Sequence, residues 1–237
     1  MVQVKDIEED HTDMFETTEK WEKTYPEAAV GILTMRRVAN PADHPELDRL
    51  KEELEADLRS RYAGFERAAL KAMPPLDAYQ TYYKRFRKTY HVLLQLESIV
   101  SRGKSIPRVA ALVEAMFMAE LKNQLLTAGH DLDVVQEPVR IDVADGSESY
   151  VRLSGQSQGT KAGDMMICDA EGILSTIVYG PDRRTSITAS TQSVLYTVYA
   201  PPGVGKEAVQ SHLEDIESYV SLVSPAALVT TMKVYRA

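Results

Sequence analysis

Hydrophobic positions fall into two textures along this chain. In the first half they mostly recur at spacings of three and four, the period of a helix with one buried face. Leu47, Leu50, Leu54 and Leu58 sit among Glu, Lys, Asp and Arg and predict a helix to about Gly64. Phe65 to Met73 continues in that style and stops at Pro74-Pro75. Asp77 is the expected cap of a helix bearing Tyr79, Tyr82, Tyr83, Phe86 and Tyr90. Leu93, Leu94, Leu96, Ile99 and Val100 predict the next, ended near Gly103. Pro107 suits the first turn of a long helix over 107–127, with Gly129 as its C-cap and His130-Asp131 in the turn beyond.

Short apolar or alternating runs make up most of the remainder. Ala28 to Met35 reads as a buried strand ahead of the helices. After Gly129, strands are expected at Val139–Val143, Tyr150–Leu153, Met165–Cys168, Ile173–Tyr179 and Ser193–Tyr199. Ala200-Pro-Pro-Gly203 breaks the last of these, and Val209, Leu213, Ile216, Val220 and Val223 mark a final helix. Ala227 to Tyr235 reads as a closing strand. Helices and strands are thus segregated rather than alternating, which predicts an α+β fold: a mixed or antiparallel β core flanked by helices, with a helical N-terminal segment. The expected organisation is a poorly patterned segment over 1–20, a mainly helical part over 21–105 and an α+β core over 106–237, the last two forming one unit.

Charge narrows the partners. The 237 residues carry a net charge of −8, which disfavours sequence-blind binding of nucleic acid over the whole surface and gives no reason to expect a DNA partner. Tyr79 to Arg108 departs from this. It holds Lys84, Arg85, Arg87, Lys88, Arg102, Lys104 and Arg108 against Glu97 alone, so it carries +6 while the remainder carries −14. Its interleaved tyrosines either belong to the core of a solvated helix or offer stacking faces beside a strip that docks RNA. Apolar runs are too short for a membrane helix, which needs about 20 residues. No signal peptide is legible, and a cytoplasmic protein is expected.

Candidate chemistry is sparse. Five histidines, at 11, 44, 91, 130 and 212, show no metal-binding spacing, and the lone Cys168 lies in an apolar strand, so neither a metal nor another cofactor is expected. Gly203-Val-Gly-Lys206 lacks the spacing and the Ser or Thr of a phosphate loop. The densest polar stretch is Tyr179 to Thr191. Gly180, Pro181 and Asp182 make a turn, Arg183 and Arg184 offer forked donors to a carboxylate or phosphate, and Thr185, Ser186, Thr188, Ser190 and Thr191 bring hydroxyls. His130-Asp131 reads as a turn or as an acid–base pair.

In order and spacing, several segments together carry a family resemblance. They are Leu112-Val-Glu-Ala-Met-Phe-Met118, Leu126-Thr-Ala-Gly-His-Asp-Leu-Asp133, Gly163-Asp-Met-Met-Ile-Cys-Asp-Ala-Glu-Gly172, Tyr179 to Thr191 and Val194 to Tyr199. Upstream, Tyr83-Lys-Arg-Phe-Arg-Lys88 and Ser105-Ile-Pro107 extend the set. Over about residues 20 to 225 the chain resembles the B3/4 domain of the phenylalanyl-tRNA synthetase β chain, in its free-standing form. The resemblance implies a B3/4-type core and hydrolysis, by a positioned water, of the ester joining a wrong amino acid to tRNA. Thr188, Thr185 and His130 are the candidates for catalysis; Tyr179, Gly180, Arg183, Arg184, Thr191, Tyr196 and Ala128 are those for substrate binding. Ala128 stands where the synthetase site has a histidine, and Tyr196 near its glutamate for a tyrosine hydroxyl, which implies a different specificity. Nothing resembles the synthetase's ATP-binding core, so ligase activity is not expected. A stand-alone deacylase or binder of aminoacyl-tRNA leads; an RNA-binding module without catalysis and a binder of a free amino acid are the alternatives.

Overall fold

A computed structural model describes residues 14–237. The strand expected near the N-terminus forms as β2 (Ala29–Arg36), after a short β1 (Phe15–Thr17) and α1 (Glu19–Thr24). Five helices follow: α2 (Pro45–Arg61), α3 (Arg67–Lys71), α4 (Pro74–Arg85), α5 (His91–Arg102) and α6 (Ala111–Asn123). Then come β3 (Leu126–Asp131), β4 (Val139–Val143), β5 (Ser149–Val151), β6 (Ser157–Gly159), β7 (Met165–Cys168), β8 (Ile173–Thr176), β9 (Gly180–Pro181) and β10 (Ser193–Ala200). Helix α7 (Lys206–Val223) and β11 (Leu228–Arg236) close the chain. The fold is α+β.

The first sheet is antiparallel in the order β11-β2-β10-β3. All eight residues of β10 and seven of eight in β2 are buried, which is why both read as continuous apolar runs: each face of a central strand is covered. One face carries α7 and α6. A Cβ on Gly31 of β2 would lie 2.6 Å from Val209 Cγ1 of α7, so glycine lets that helix approach the backbone. The other face meets the second sheet, β1-β4-β7-β8-β9, in which β1 and β4 are parallel and the other pairs antiparallel. The N-terminal part therefore supplies a central strand of the first sheet and an edge of the second.

Tyrosines of α4 tie these layers together. Tyr79 donates to the carbonyl of Tyr199 on β10, Tyr83 to that of Ile177, and Tyr82 to Asp164. Tyr82, Tyr83 and Tyr90 are buried, with Tyr90 stacked on Tyr79 at 4.3 Å between ring centres. The stretch from Tyr79 to Tyr90 thus puts these aromatic rings in the core and its cations outside.

Two local expectations need correction. Asp77 lies inside the first turn of α4 and is not its cap: α3 ends at Lys71, ahead of Pro74 and Pro75 as expected, and the two prolines open α4, because the first turn has no use for their missing N–H groups. The long helix is shorter than 107–127 and ends with Gln124 in the left-handed region at φ 62°. Gly129 is no cap. Residues 126–131 are strand β3, and His130 and Asp131 belong to it.

Candidate functional site

Strand β3 pairs with β10 so that Gly129 opposes Tyr196 and His130 opposes Leu195. Successive side chains on a strand point to opposite faces. Gly129 and His130 therefore serve different environments, although they adjoin in sequence.

On the His130 side most polar groups are engaged with one another, the buried Thr197 hydroxyl being left without a partner among the described residues. His130 is fully buried between the sheets, 2.8 Å from Thr185 Oγ1 through Nδ1 and 3.1 Å from Ser175 Oγ through Nε2. Thr185 donates to Asp182 Oδ1, and Ser175 Oγ lies 2.7 Å from the Tyr199 hydroxyl. With the Thr185 proton on the carboxylate, Nδ1 carries the imidazole proton and Nε2 accepts from Ser175. Burial first, and the Arg184 charge second, push the His130 pKa down to about 3, so the ring is neutral near pH 7. Arg184 itself donates to Asp169 Oδ1 at 2.9 Å and to the Val134 carbonyl at 3.2 Å. Thr191 Oγ1 donates to Asp131 Oδ2 at 2.6 Å.

On the Gly129 side there is space. A cavity of about 220 Å³ lies between α6, β3 and the segment after β8. Met116 and Phe117 of α6, Leu126, Ala128 and Gly129 of β3, which is an edge strand, Gly180 and Pro181 of β9, and Ile187 line it, and Leu153 and His91, both exposed, stand at its rim. No Cβ fits at Gly129 without displacing Ile187, whose Cδ1 would be 2.8 Å away. Into these apolar walls comes one carboxyl, Glu120.

Helix α6 buries two glutamates, and they are treated differently. Glu114 pairs with Lys51 Nζ, itself buried, and accepts from the Val109 N–H at 2.8 Å. Glu120 has no ion-pair partner among the described residues. Its Oε1 accepts from the Thr127 N–H at 2.8 Å, and among the described residues Oε2 has no hydrogen-bond partner. Burial pushes the Glu120 pKa up to about 8.

The expected residues scatter around this geometry. Ala128 and Gly180 line the cavity. Tyr196 is buried behind Gly129, its hydroxyl donating to the Leu112 carbonyl at 2.8 Å. Thr185, His130, Arg184 and Thr191 face other partners. Thr188 is exposed, its Oγ1 2.9 Å from Ser190 Oγ. Arg183 is exposed, beside Gly155. Of the hydroxyl residues between 179 and 191, the one that lines the cavity is Ser186, which donates to the Arg183 carbonyl at 2.9 Å.

The cationic strip is exposed. Lys84, Arg87 and Lys88 surround one hollow with Lys71, and Arg85 and Arg87 share the next with Lys161. Lys88 Nζ lies 5.3 Å from the centre of the half-buried Tyr179 ring, and Gly180, the next residue, reaches the cavity wall. Arg108 is drawn off to Asp48 at 3.3 Å, whereas Arg102 and Lys104 are exposed at the far end.

With this geometry in place, comparison with known proteins is decisive on one point. The B3/4 domain family model matches residues 77–220. The chain belongs to the B3/4 family. The matched span runs from α4 through α7 and so takes in both the strip and the cavity. A solved relative of this B3/4 protein is an N-terminal fragment of the phenylalanyl-tRNA synthetase β-subunit from Pyrococcus horikoshii, with 14% identity and a TM-score of 0.46. That match covers 91% of this chain and 49% of the fragment, so the chain spans about half the fragment's length. No curated protein matches.

Sequence reasoning missed Glu120, Met116, Phe117 and Ile187 as site residues. The signal for Glu120 was faint: an acid in the most apolar helix of the chain. Among the described residues no group of three or more His, Cys, Asp or Glu is placed to hold a metal, and no helix is long and apolar enough to cross a membrane.

Proposed function

We propose that this B3/4 protein is an editing-like protein that takes the aminoacyl ester of a mischarged tRNA and either hydrolyses it or holds it. The reading rests on one observation: Lys88 of the exposed cationic strip lies against the Tyr179 ring, and Gly180, next in the chain, lines the cavity. A charged backbone on Lys84, Arg87 and Lys88 would bring its terminal ester to the cavity mouth. Phosphate contacts position a nucleic acid without reading its sequence, and the apolar cavity would then select the amino acid. Ser186 is the hydroxyl placed at that mouth to order a water. Such a site works by positioning, with no side-chain nucleophile.

A second reading, binding without hydrolysis, is favoured by the closed partners of His130 and Thr185, which leave neither free for proton transfer. Deacylation of a panel of mischarged tRNAs separates the two. Turnover of one ester above its spontaneous rate, lost in Ser186→Ala and weakened by Arg87→Ala with Lys88→Ala, supports the hydrolase. Salt-sensitive tRNA binding without turnover supports the binder. A folded protein that neither binds nor deacylates tRNA at low salt overturns both.

A further inference from the structure

Glu120 is the one feature of the cavity that the reading above leaves unused. A buried carboxyl keeps its place by being hydrogen-bonded and, if charged, paired with a cation. Glu114, two turns earlier on the same helix, meets both conditions through Lys51 and Val109. Glu120 is 1% exposed and meets only half of the first. The nearby tyrosines do not answer it: Tyr79 donates to the Tyr199 carbonyl, Tyr83 to that of Ile177 and Tyr90 to that of Gln124. His212, across the sheet edge, is 2.7 Å from Thr127 Oγ1 and 3.3 Å from Asn123 Nδ2.

The missing partner faces open volume. The space of about 220 Å³ exceeds the roughly 150 Å³ of an apolar cavity known to admit benzene, so it admits one branched or aromatic side chain. Its walls are thioether, phenyl and branched alkyl. An alcohol entering would give Oε2 a hydrogen bond but no countercharge. An ammonium gives both.

We propose that Glu120 is the counter-ion for the α-ammonium group of an amino-acid ester whose apolar side chain fills the cavity beside Met116, Phe117 and Ile187. The inference rests on the editing reading for the identity of the amine as an aminoacyl group. The pairing itself is independent of tRNA and of any hydrolysis. It also gives a reason to prefer the ester over the free amino acid, whose carboxylate would share the cavity with that of Glu120.

The test uses the full chain and hydrolysis-resistant probes: leucinamide and phenylalaninamide, their N-acetyl derivatives, 3-phenylpropanamide and the free amino acids. Calorimetric titration near pH 7.5 should show the amides binding, and the N-acetyl, deamino and zwitterionic compounds at least about thirtyfold weaker, as expected when one partner of a buried charge pair is removed. Glu120→Gln, close in shape, should abolish that preference while the protein stays folded. Equal binding of amine and N-acetyl probes overturns the proposal, as does an unchanged preference in the glutamine variant. If the variant does not fold, the wild-type series alone decides. No binding of any amide by folded protein also overturns it, whereas amide binding without tRNA deacylation leaves the pairing standing and counts only against hydrolysis.

Discussion

The two faces of β3 make an instructive pair. One faces the second sheet and holds His130, Thr185, Ser175, Tyr199 and Asp182, a run of polar groups in which each is another's partner. The other faces α6; there Thr127 and Asp131 are engaged by His212 and Thr191, but the carboxyl that reaches the cavity, that of Glu120, has an oxygen that nothing in the described chain answers. Polar density is thus a poor guide to a site. A satisfied network stabilises the fold, and a partnerless group beside a cavity is where a ligand has something to gain.

This contrast can be broken by mutation. The largest effect is expected on the polar face. His130→Ala removes a fully buried ring and orphans Thr185 and Ser175, and should cost about 3–5 kcal/mol in urea unfolding. Glu120→Gln should cost nothing or stabilise. A variant order with glutamine the more damaging would erase the distinction between the faces.

A second comparison uses pH. The Glu120 carboxyl titrates near 4.5 when free of the fold and near 8 within it. Between these values the folded protein holds a proton that the unfolded chain has lost, so this group makes stability fall as pH rises. His130, lowered from 6.5 to about 3, acts oppositely: its share of stability, present above 6.5, is lost as pH falls toward 3. Urea unfolding from pH 5 to 8 should therefore show Glu120→Gln gaining on the wild type by up to roughly 1.4 kcal/mol per pH unit. Parallel curves would mean that the carboxyl is already compensated.

The smallest effect is expected at Gly129. Its alanine variant must push Ile187 Cδ1 into the cavity, a flexible methyl that can move, so a loss of about 1 kcal/mol is expected. The same variant should weaken the amide probes markedly, because the displaced methyl occupies their space. Undiminished binding would move the ligand elsewhere.

Much was legible in the sequence. The apolar runs of β2 and β10, the heptad-like spacing of α2 and α7 and the excess of cations after Tyr79 follow from residue order, because a central strand and an amphipathic helix each imprint a period on the chain. The segregated order of these elements carried the α+β class with it. The hydroxyl-rich stretch was legible as composition, but not how its residues divide: Gly180, Pro181, Ser186 and Ile187 reach the cavity wall, while Arg184 and Thr191 turn to Asp169 and Asp131.

What only the tertiary structure decided was pairing. Leu126 to Asp131 is too short and too polar to announce a strand, and becomes one because β10 offers it an edge. That strand then sends His130 inward to a closed set of partners and leaves Gly129 facing α6. Glu114 and Glu120 are the same residue on one helix, indistinguishable by propensity or period. Lys51 comes from another helix to meet the first, and no cation of the described residues comes to meet the second. Local pattern fixes which residues are helical, stranded or charged; whether a buried charge has a partner depends on segments distant in sequence, and is settled only when they pack.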